Sequence, residues 1–106
     1  MDYAEFVKNI TPYTTLNSDN ITLAAMGISE KAGEILELIK KFKYQGHELR
    51  DKDLINELGD VLFYIHVICN ALNIPINHVT NKNVENLILR YPEGKFSVKR
   101  SVSRKV

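Results

Sequence analysis

Apolar residues recur at every third or fourth position through most of the chain, which is the spacing of α-helices that bury one face. The longest such stretch predicts a helix that is capped by Ser18 or Asp19 and runs to about Tyr44, where Gly46 ends it. Its predicted core stripe consists of Ile21, Ala25, Ile28, Ala32, Ile35, Ile39 and Phe42.

The same spacing predicts three further helices. A short one spans about residues 2–10 and is broken at Pro12. Another is capped by Asp51, and Pro75 separates it from a last helix over about residues 76–90. No stretch alternates like a strand, so the predicted fold is all-α, an antiparallel four-helix bundle with short loops. The core stripe of the helix after Asp51 is predicted to be Leu54, Leu58, Val61, Ile65, Ile68 and Leu72.

Composition places the chain among ordinary globular proteins, with 44% hydrophobic and 25% charged residues in 106 positions. A domain of this size buries a modest fraction of its surface, so we expect a homo-oligomer. No apolar run approaches the roughly 20 residues that span a bilayer, and no secretory signal is recognised at the N-terminus. Because Cys69 is the only cysteine, we expect no intrachain disulfide and a cytoplasmic location.

Acidic residues on two of the predicted helices are the main candidates for chemistry. Counting about 100° per residue places Glu34, Glu57 and Asp60 beside the apolar seams of their helices, whereas Glu30 and Glu37 point toward solvent. Acids that are partly withdrawn from water repel one another unless a positive charge lies among them, and magnesium is a common solution. The alternative is that these are surface glutamates supported by nearby lysines.

The segments GISEKAGEILELIKK, GHEL, LINELGDVLFYI and NVENLILRYPEGKFS follow one another in the order and spacing of a known family. They resemble the MazG-like nucleoside triphosphate pyrophosphohydrolases, from about Asn20 to the tail. The resemblance implies a MazG-like core over residues 18–91, between an N-terminal helix and loop (1–17) and a basic C-terminal tail (92–106). It also implies a dimer or a dimer of dimers that uses Mg²⁺ and a nucleoside triphosphate.

The family's metal motif is ExxE on one helix and ExxD on the next. Glu57 and Asp60 match the second pair, and Glu34 matches the second glutamate of the first pair, so these three are the expected catalytic and metal-binding residues. Lys31 stands where the first glutamate is expected, with Glu37 as a substitute ligand. An ammonium group here either weakens or excludes one magnesium, or points away and meets a substrate phosphate.

The resemblance extends to several residues that are expected to bind the substrate. Tyr64 and Asn83 match a tyrosine and an asparagine of the family, although a packing role for Tyr64 and simple exposure of Asn83 are equally open. Basic residues of the last helix and the tail are candidates for phosphate contacts, or are merely solvated. These basic candidates are Arg90, Arg100, Arg104 and Lys105, together with Lys31.

The sequence therefore predicts a magnesium-dependent hydrolase that cleaves a nucleoside triphosphate between the α and β phosphorus atoms. The alternative is a MazG-like module that binds nucleotides or proteins and has lost catalysis, because of Lys31. A net charge of +1 argues against binding to nucleic acid polymers. His66 and Cys69 lie three residues apart, but two ligands are too few for a zinc site.

Overall fold

The computed structural model describes residues 2–11 and 16–104, and all regular structure within them is helical. The helices are α1 (Tyr3–Asn9), α2 (Asn17–Tyr44), α3 (Asp51–Leu72), α4 (Ile76–Arg90) and α5 (Val98–Val102). The prediction of an all-α fold is confirmed. The predicted break at Pro12 lies outside the described residues, and the division into 1–17, 18–91 and 92–106 stays a prediction.

Local sequence signals explain where the helices begin and end. Asp2 caps α1 by accepting a hydrogen bond from the backbone N–H of Glu5. Gly46 follows α2 with a φ of 71°, and Asn73 follows α3 with a φ of 57°, so both helices end on a left-handed residue. In contrast, the predicted caps Ser18, Asp19 and Asp51 lie inside the first turns, one to three residues after the structural N-cap positions.

Contacts between Cα atoms divide the chain into two units, the first ending at Ile74 and the second beginning at Pro75. In the first unit, α3 packs against both α1 and α2. Its core consists of Val7, Ala24 and Val67, one from each helix, with Phe63, Tyr64 and Ile68 packed against them. An amide hydrogen bond of 3.0 Å from Asn70 to the carbonyl of Ala4 links α3 to α1.

The second unit consists of α4 and the segment that follows it. Tyr91 leaves helical geometry before Pro92, as the sequence predicts. Gly94 then reverses the chain with a φ of 80°, and the ring of Phe96 comes to 5.5 Å from that of Tyr91. The basic tail therefore begins with a structured turn, and Ser97 caps the short helix α5 that the sequence analysis did not predict.

The inner face of α2 is rotated relative to the predicted core stripe. Ala24 and Gly27 are buried and Lys31 is partly buried, whereas Ala25, Ala32, Ile39 and Phe42 of the predicted stripe are exposed. The small residues allow α3 to come close, so the contact follows them rather than the bulkiest side chains. The prediction for these four stripe positions is wrong for the chain described.

No single helix within residues 2–11 and 16–104 is long and apolar enough to cross a membrane.

Candidate active site

Helices α2 and α3 come close together where the ring of Tyr64 lies over Gly27. A Cβ atom at Gly27 would stand 2.5 Å from Cε2 and Cζ of that ring, so a larger residue does not fit without movement. One turn further along α2 is Lys31, and one turn back along α3 is Asp60. The glycine contact therefore sets the distance between the helices at the acidic residues.

Glu34, Glu57 and Asp60 form a carboxylate cluster around the ammonium group of Lys31. The distances from Lys31 Nζ are 3.2 Å to Glu34 Oε2, 3.3 Å to Asp60 Oδ2 and 3.9 Å to Glu57 Oε2. Glu57 Oε2 is buried, and no hydrogen-bond donor among the described residues reaches it. Two neighbouring helices thus bring three acidic groups to one cation.

Close contact between Glu34 and Glu57 makes the two carboxyl groups unequal, because neighbouring carboxylates resist ionising together. A hydrogen bond with Glu34 raises the pKa of Glu57 above its usual range, and burial adds to the shift. The same contact, followed by the hydrogen bond from Lys31, lowers the pKa of Glu34. Glu57 is the less exposed side chain of the pair, at 20% against 39%, so it retains a proton more readily.

Lys31 stays charged in this environment. Its hydrogen bond to Glu34, and then that to Asp60, raise the pKa of the ammonium group above its usual range. Because one ammonium group faces three acidic groups, the cluster still tends toward negative charge.

The magnesium site expected from the sequence does not fit this arrangement. Within residues 2–11 and 16–104, no three Asp, Glu, His or Cys side chains are grouped so as to hold a metal ion. The ammonium group of Lys31 lies within 3.3 Å of two carboxylates, where it would repel a second cation. Magnesium also requires oxygen ligands in octahedral geometry at about 2.0–2.1 Å. The cluster as described holds an ammonium group instead.

Glu37, the substitute ligand of the sequence analysis, lies apart from these contacts. Its Oε1 is 2.8 Å from Nζ of Lys41, one turn further along α2. The hydrogen bond from Lys41 lowers the pKa of Glu37 below its usual range.

Beside Tyr64 is an open groove of about 540 Å³ that the sequence analysis did not predict. Its lining includes Leu23, Met26, Ser29 and Glu30 from α2. Only the pair of small residues Ala24 and Gly27, spaced three apart, indicated in the sequence that α2 has a close helix contact at this place.

The remaining candidates for substrate binding belong to the second unit. Asn83 is exposed on α4, and the guanidinium of Arg90 lies 5.9 Å from the centre of the Tyr91 ring. Arg100 donates two hydrogen bonds to Glu93, of 3.1 and 3.0 Å, and this contact raises the pKa of Arg100. Arg104 is exposed, and Lys105 lies outside the described residues. Their roles toward a substrate stay predictions.

His66 and Cys69 are both buried in the first unit. The ring of His66 makes an edge contact of 4.8 Å with that of Tyr3, and its Nδ1 has no hydrogen-bond partner among the described residues. Burial raises the pKa of the Cys69 thiol, which makes it less reactive. These contacts are those of core residues.

A family model for the MazG nucleotide pyrophosphohydrolase domain matches residues 20–95. The chain belongs to this MazG family. The match includes Lys31 and the whole carboxylate cluster. This MazG chain is also similar to the Gene 37 protein of Mycobacterium phage L5, with 33% identity over 86 residues, covering 72% of this chain and 70% of the phage protein. No solved structure matches the chain significantly.

Membership carries two general properties of the family. MazG domains act on nucleoside triphosphates, and they generally depend on divalent metal ions. The name of the phage protein states no activity, so it adds no substrate.

Proposed function

We propose that this MazG chain hydrolyses a nucleoside triphosphate between its α and β phosphorus atoms, giving a monophosphate and pyrophosphate. The observation that carries the proposal is the convergence of the carboxylate cluster, from α2 and α3, at 3.2 to 3.9 Å from one cationic atom. Acidic groups held in this way orient water and accept its proton, while a cation offsets charge on phosphate oxygens.

The proposed reaction needs one water molecule. Its oxygen attacks the α phosphorus, and the bond from that phosphorus to the bridging oxygen breaks, so that pyrophosphate leaves with the electron pair. The proton of the water passes to a carboxylate of the cluster. Glu57 is the best candidate, since its raised pKa makes it the stronger base when it is ionised. The Lys31 ammonium group is placed to contact a phosphate oxygen.

The groove beside Tyr64 is the proposed place for the nucleoside. It is one helical turn from Lys31 along α2 and one turn from Asp60 along α3, and its volume lies in the range of small-molecule pockets. Leu23 and Met26 offer apolar surface to a base, and the Tyr64 ring offers an aromatic edge. This placement would put the triphosphate over the cluster.

We expect the proposed hydrolysis to require magnesium. A triphosphate is strongly negative, and the cluster has more acidic groups than the single ammonium group neutralises. Further positive charge is therefore needed before the two meet. The carboxylate cluster as described, with the Lys31 ammonium group between its members, does not fit such an ion.

One observation favours a second candidate function. All three carboxylates already lie close to Lys31, so the groups that would act on a substrate complex are engaged by the protein itself. The chain would then be a MazG module that binds nucleotides without cleaving them.

Pyrophosphate release distinguishes the two candidates. The purified chain is incubated with a panel of ribo- and deoxynucleoside triphosphates, with magnesium or with EDTA, and pyrophosphate and monophosphate are quantified. We expect equal amounts of both products with at least one nucleotide. Glu57→Gln and Asp60→Asn should each lower the rate by about 100-fold or more, because each removes an acidic group next to the proposed attack site.

Glu85→Gln, on the exposed side of α4, serves as the matched control and should keep the wild-type rate. Release of phosphate instead of pyrophosphate would reject the cleavage position. Absence of any product from the wild type, together with a large gain in Lys31→Glu, would reject hydrolysis by the native chain and favour the second candidate.

A further inference from the structure

Two lysines on α2, Lys31 and Lys41, form ion pairs, but only one of them reaches a neighbouring helix. Lys41 contacts Glu37 within its own helix, and its side chain is 38% exposed. Lys31 is 20% exposed and reaches across to α3, where it meets Glu57 and Asp60 as well as Glu34 on its own helix. Lys31 therefore joins two helices through charge, whereas Lys41 does not.

Lys31 lies where any soluble cation would also be drawn. Two carboxylate oxygens stand within 3.3 Å of its Nζ, and Glu57 Oε2, which has no hydrogen-bond partner among the described residues, stands at 3.9 Å. The three acidic groups belong to helices that pack on each other, so the backbones that carry them cannot move apart without disturbing the contact at Gly27. Without Lys31 they would repel one another across this contact, and a divalent ion would be the available counter-charge.

We propose that Lys31 is a tethered cation of the carboxylate cluster, which stabilises the metal-free protein and competes with divalent ions for the same carboxylates. The inference rests on the proposed function only because it concerns the same site, and it does not require that the chain hydrolyses a nucleotide. It predicts that the wild type folds without metal, binds divalent ions weakly, and requires movement of the Lys31 side chain before an ion enters.

The test is a comparison of metal binding and thermal stability across variants at position 31. With all four groups ionised, the formal charge of the site is −2 in the wild type and −4 in Lys31→Glu, a difference equal to the charge of one divalent ion. Lys31→Met gives −3. Titration calorimetry with MnCl₂ on the metal-free, full-length chain should give affinity about tenfold or more higher for Lys31→Glu than for the wild type, with Lys31→Met between them.

Thermal unfolding gives a second readout that does not depend on turnover. The wild-type Tm should change little between EDTA and millimolar magnesium. Lys31→Glu should have a lower Tm in EDTA and recover much of it with magnesium, since the ion then replaces the lost ammonium group. If Lys31→Glu is unfolded in EDTA, recovery of its helical circular dichroism on adding MnCl₂ is the expected result. If Lys31→Glu fails to fold in both conditions, the test is the MnCl₂ affinity of Lys31→Met, which should be higher than that of the wild type.

Lys41→Met is the matched control, because it removes a lysine of the same helix from an ion pair with a single carboxylate. It should bind MnCl₂ as the wild type does. Wild-type affinity equal to or higher than that of both position 31 variants would overturn the proposal, and so would a gain in Lys41→Met as large as that in Lys31→Glu.

The pyrophosphate assay on the same samples separates this inference from the proposed function. An inactive wild type whose variants gain metal affinity would reject the hydrolase and support the tethered cation. An active wild type that binds MnCl₂ as tightly as Lys31→Glu would support the hydrolase and reject the tethered cation.

Discussion

The contact between Gly27 and the Tyr64 ring shows how one residue sets the spacing of the candidate site. A helix normally gains stability when a glycine in its interior becomes alanine, by roughly 0.5–1 kcal/mol. At Gly27 the added methyl group would stand 2.5 Å from the ring, so steric conflict opposes that gain. The ring also packs against the buried core and lines the groove, so its displacement would reach both.

Gly27→Ala is therefore expected to lower the free energy of unfolding by about 1–3 kcal/mol, the usual cost of overpacking. Gly33→Ala, on the same helix, is the control, since a Cβ there meets nothing within 4 Å. It should raise stability by about 0.5–1 kcal/mol. Urea unfolding followed by circular dichroism measures both. Equal stabilisation of the two variants would show that Tyr64 moves away freely.

A second residue-scale prediction concerns pH and the pair formed by Glu37 and Lys41. The pKa of Glu37 is lowered in the folded chain, so the ionised form favours folding. This contribution is fully present above the ordinary glutamate pKa, and it is lost as the pH falls through the lowered value. Lys41→Met removes the main cause of the shift. Carbon-detected NMR titration should find a higher Glu37 midpoint in this variant than in the wild type; an unchanged midpoint would show that the ion pair does not persist in solution.

At the scale of helices, the sequence predicted the boundaries well and the faces less well. Boundaries depend on neighbouring residues, such as Gly46 after α2 and Pro92 after α4, so local chemistry is enough. The inner face of α2 depends on which helix packs against it. A count of apolar residues pointed to Ile39 and Phe42, whereas the contact with α3 follows Ala24 and Gly27.

The same distinction applies to the candidate site. Helical spacing placed Glu34, Glu57 and Asp60 beside the seams of their helices, and the family resemblance favoured them over the alternative of solvated surface glutamates. The structure brings the three together, because their side chains flank two helices that pack. The sequence left open whether Lys31 lies among the carboxylates or points away from them, since a lysine has many rotamers and only the final packing selects one. The groove depends on the spacing between helices, which a single sequence does not contain.

The attachment of α1 to α3 provides a prediction at this scale. Asn70 donates a partly buried hydrogen bond to the carbonyl of Ala4, and its loss should cost about 0.5–1.5 kcal/mol in Asn70→Ala. Amide hydrogen exchange should be faster in α1 of Asn70→Ala than in α1 of the wild type, and the increase should be larger in α1 than in the rest of the first unit. Asn56→Ala, at an exposed position of α3, controls for the higher helix propensity of alanine and should leave α1 unchanged. If α1 exchanges at the same rate in Asn70→Ala and Asn56→Ala, the apolar contacts at Val7 are sufficient to hold α1 in place.

For the whole molecule, the side chains that remain uncovered are the main clue to assembly. Isolated exposed apolar residues are normal on protein surfaces, but here several of those on α2 lie along the same side of this long helix. On α2, Ile39 is 37% exposed and Phe42 is 52% exposed, and Ala25 and Ala32 are exposed as well. These are the positions that the sequence periodicity assigned to a core. A second copy of the chain is the partner that a small MazG domain is expected to place there.

Light scattering coupled to gel filtration should therefore give a mass of at least twice the 12.1 kDa of one chain. Ile39→Glu should lower the measured mass toward that of the monomer, because a charge at a buried interface lacks a partner. Lys40→Glu changes the charge at the adjacent exposed position and should leave the mass unchanged. A wild type that is monomeric at micromolar concentration would contradict the prediction, and an Ile39→Glu variant that keeps its full mass would place the interface on another surface of the chain.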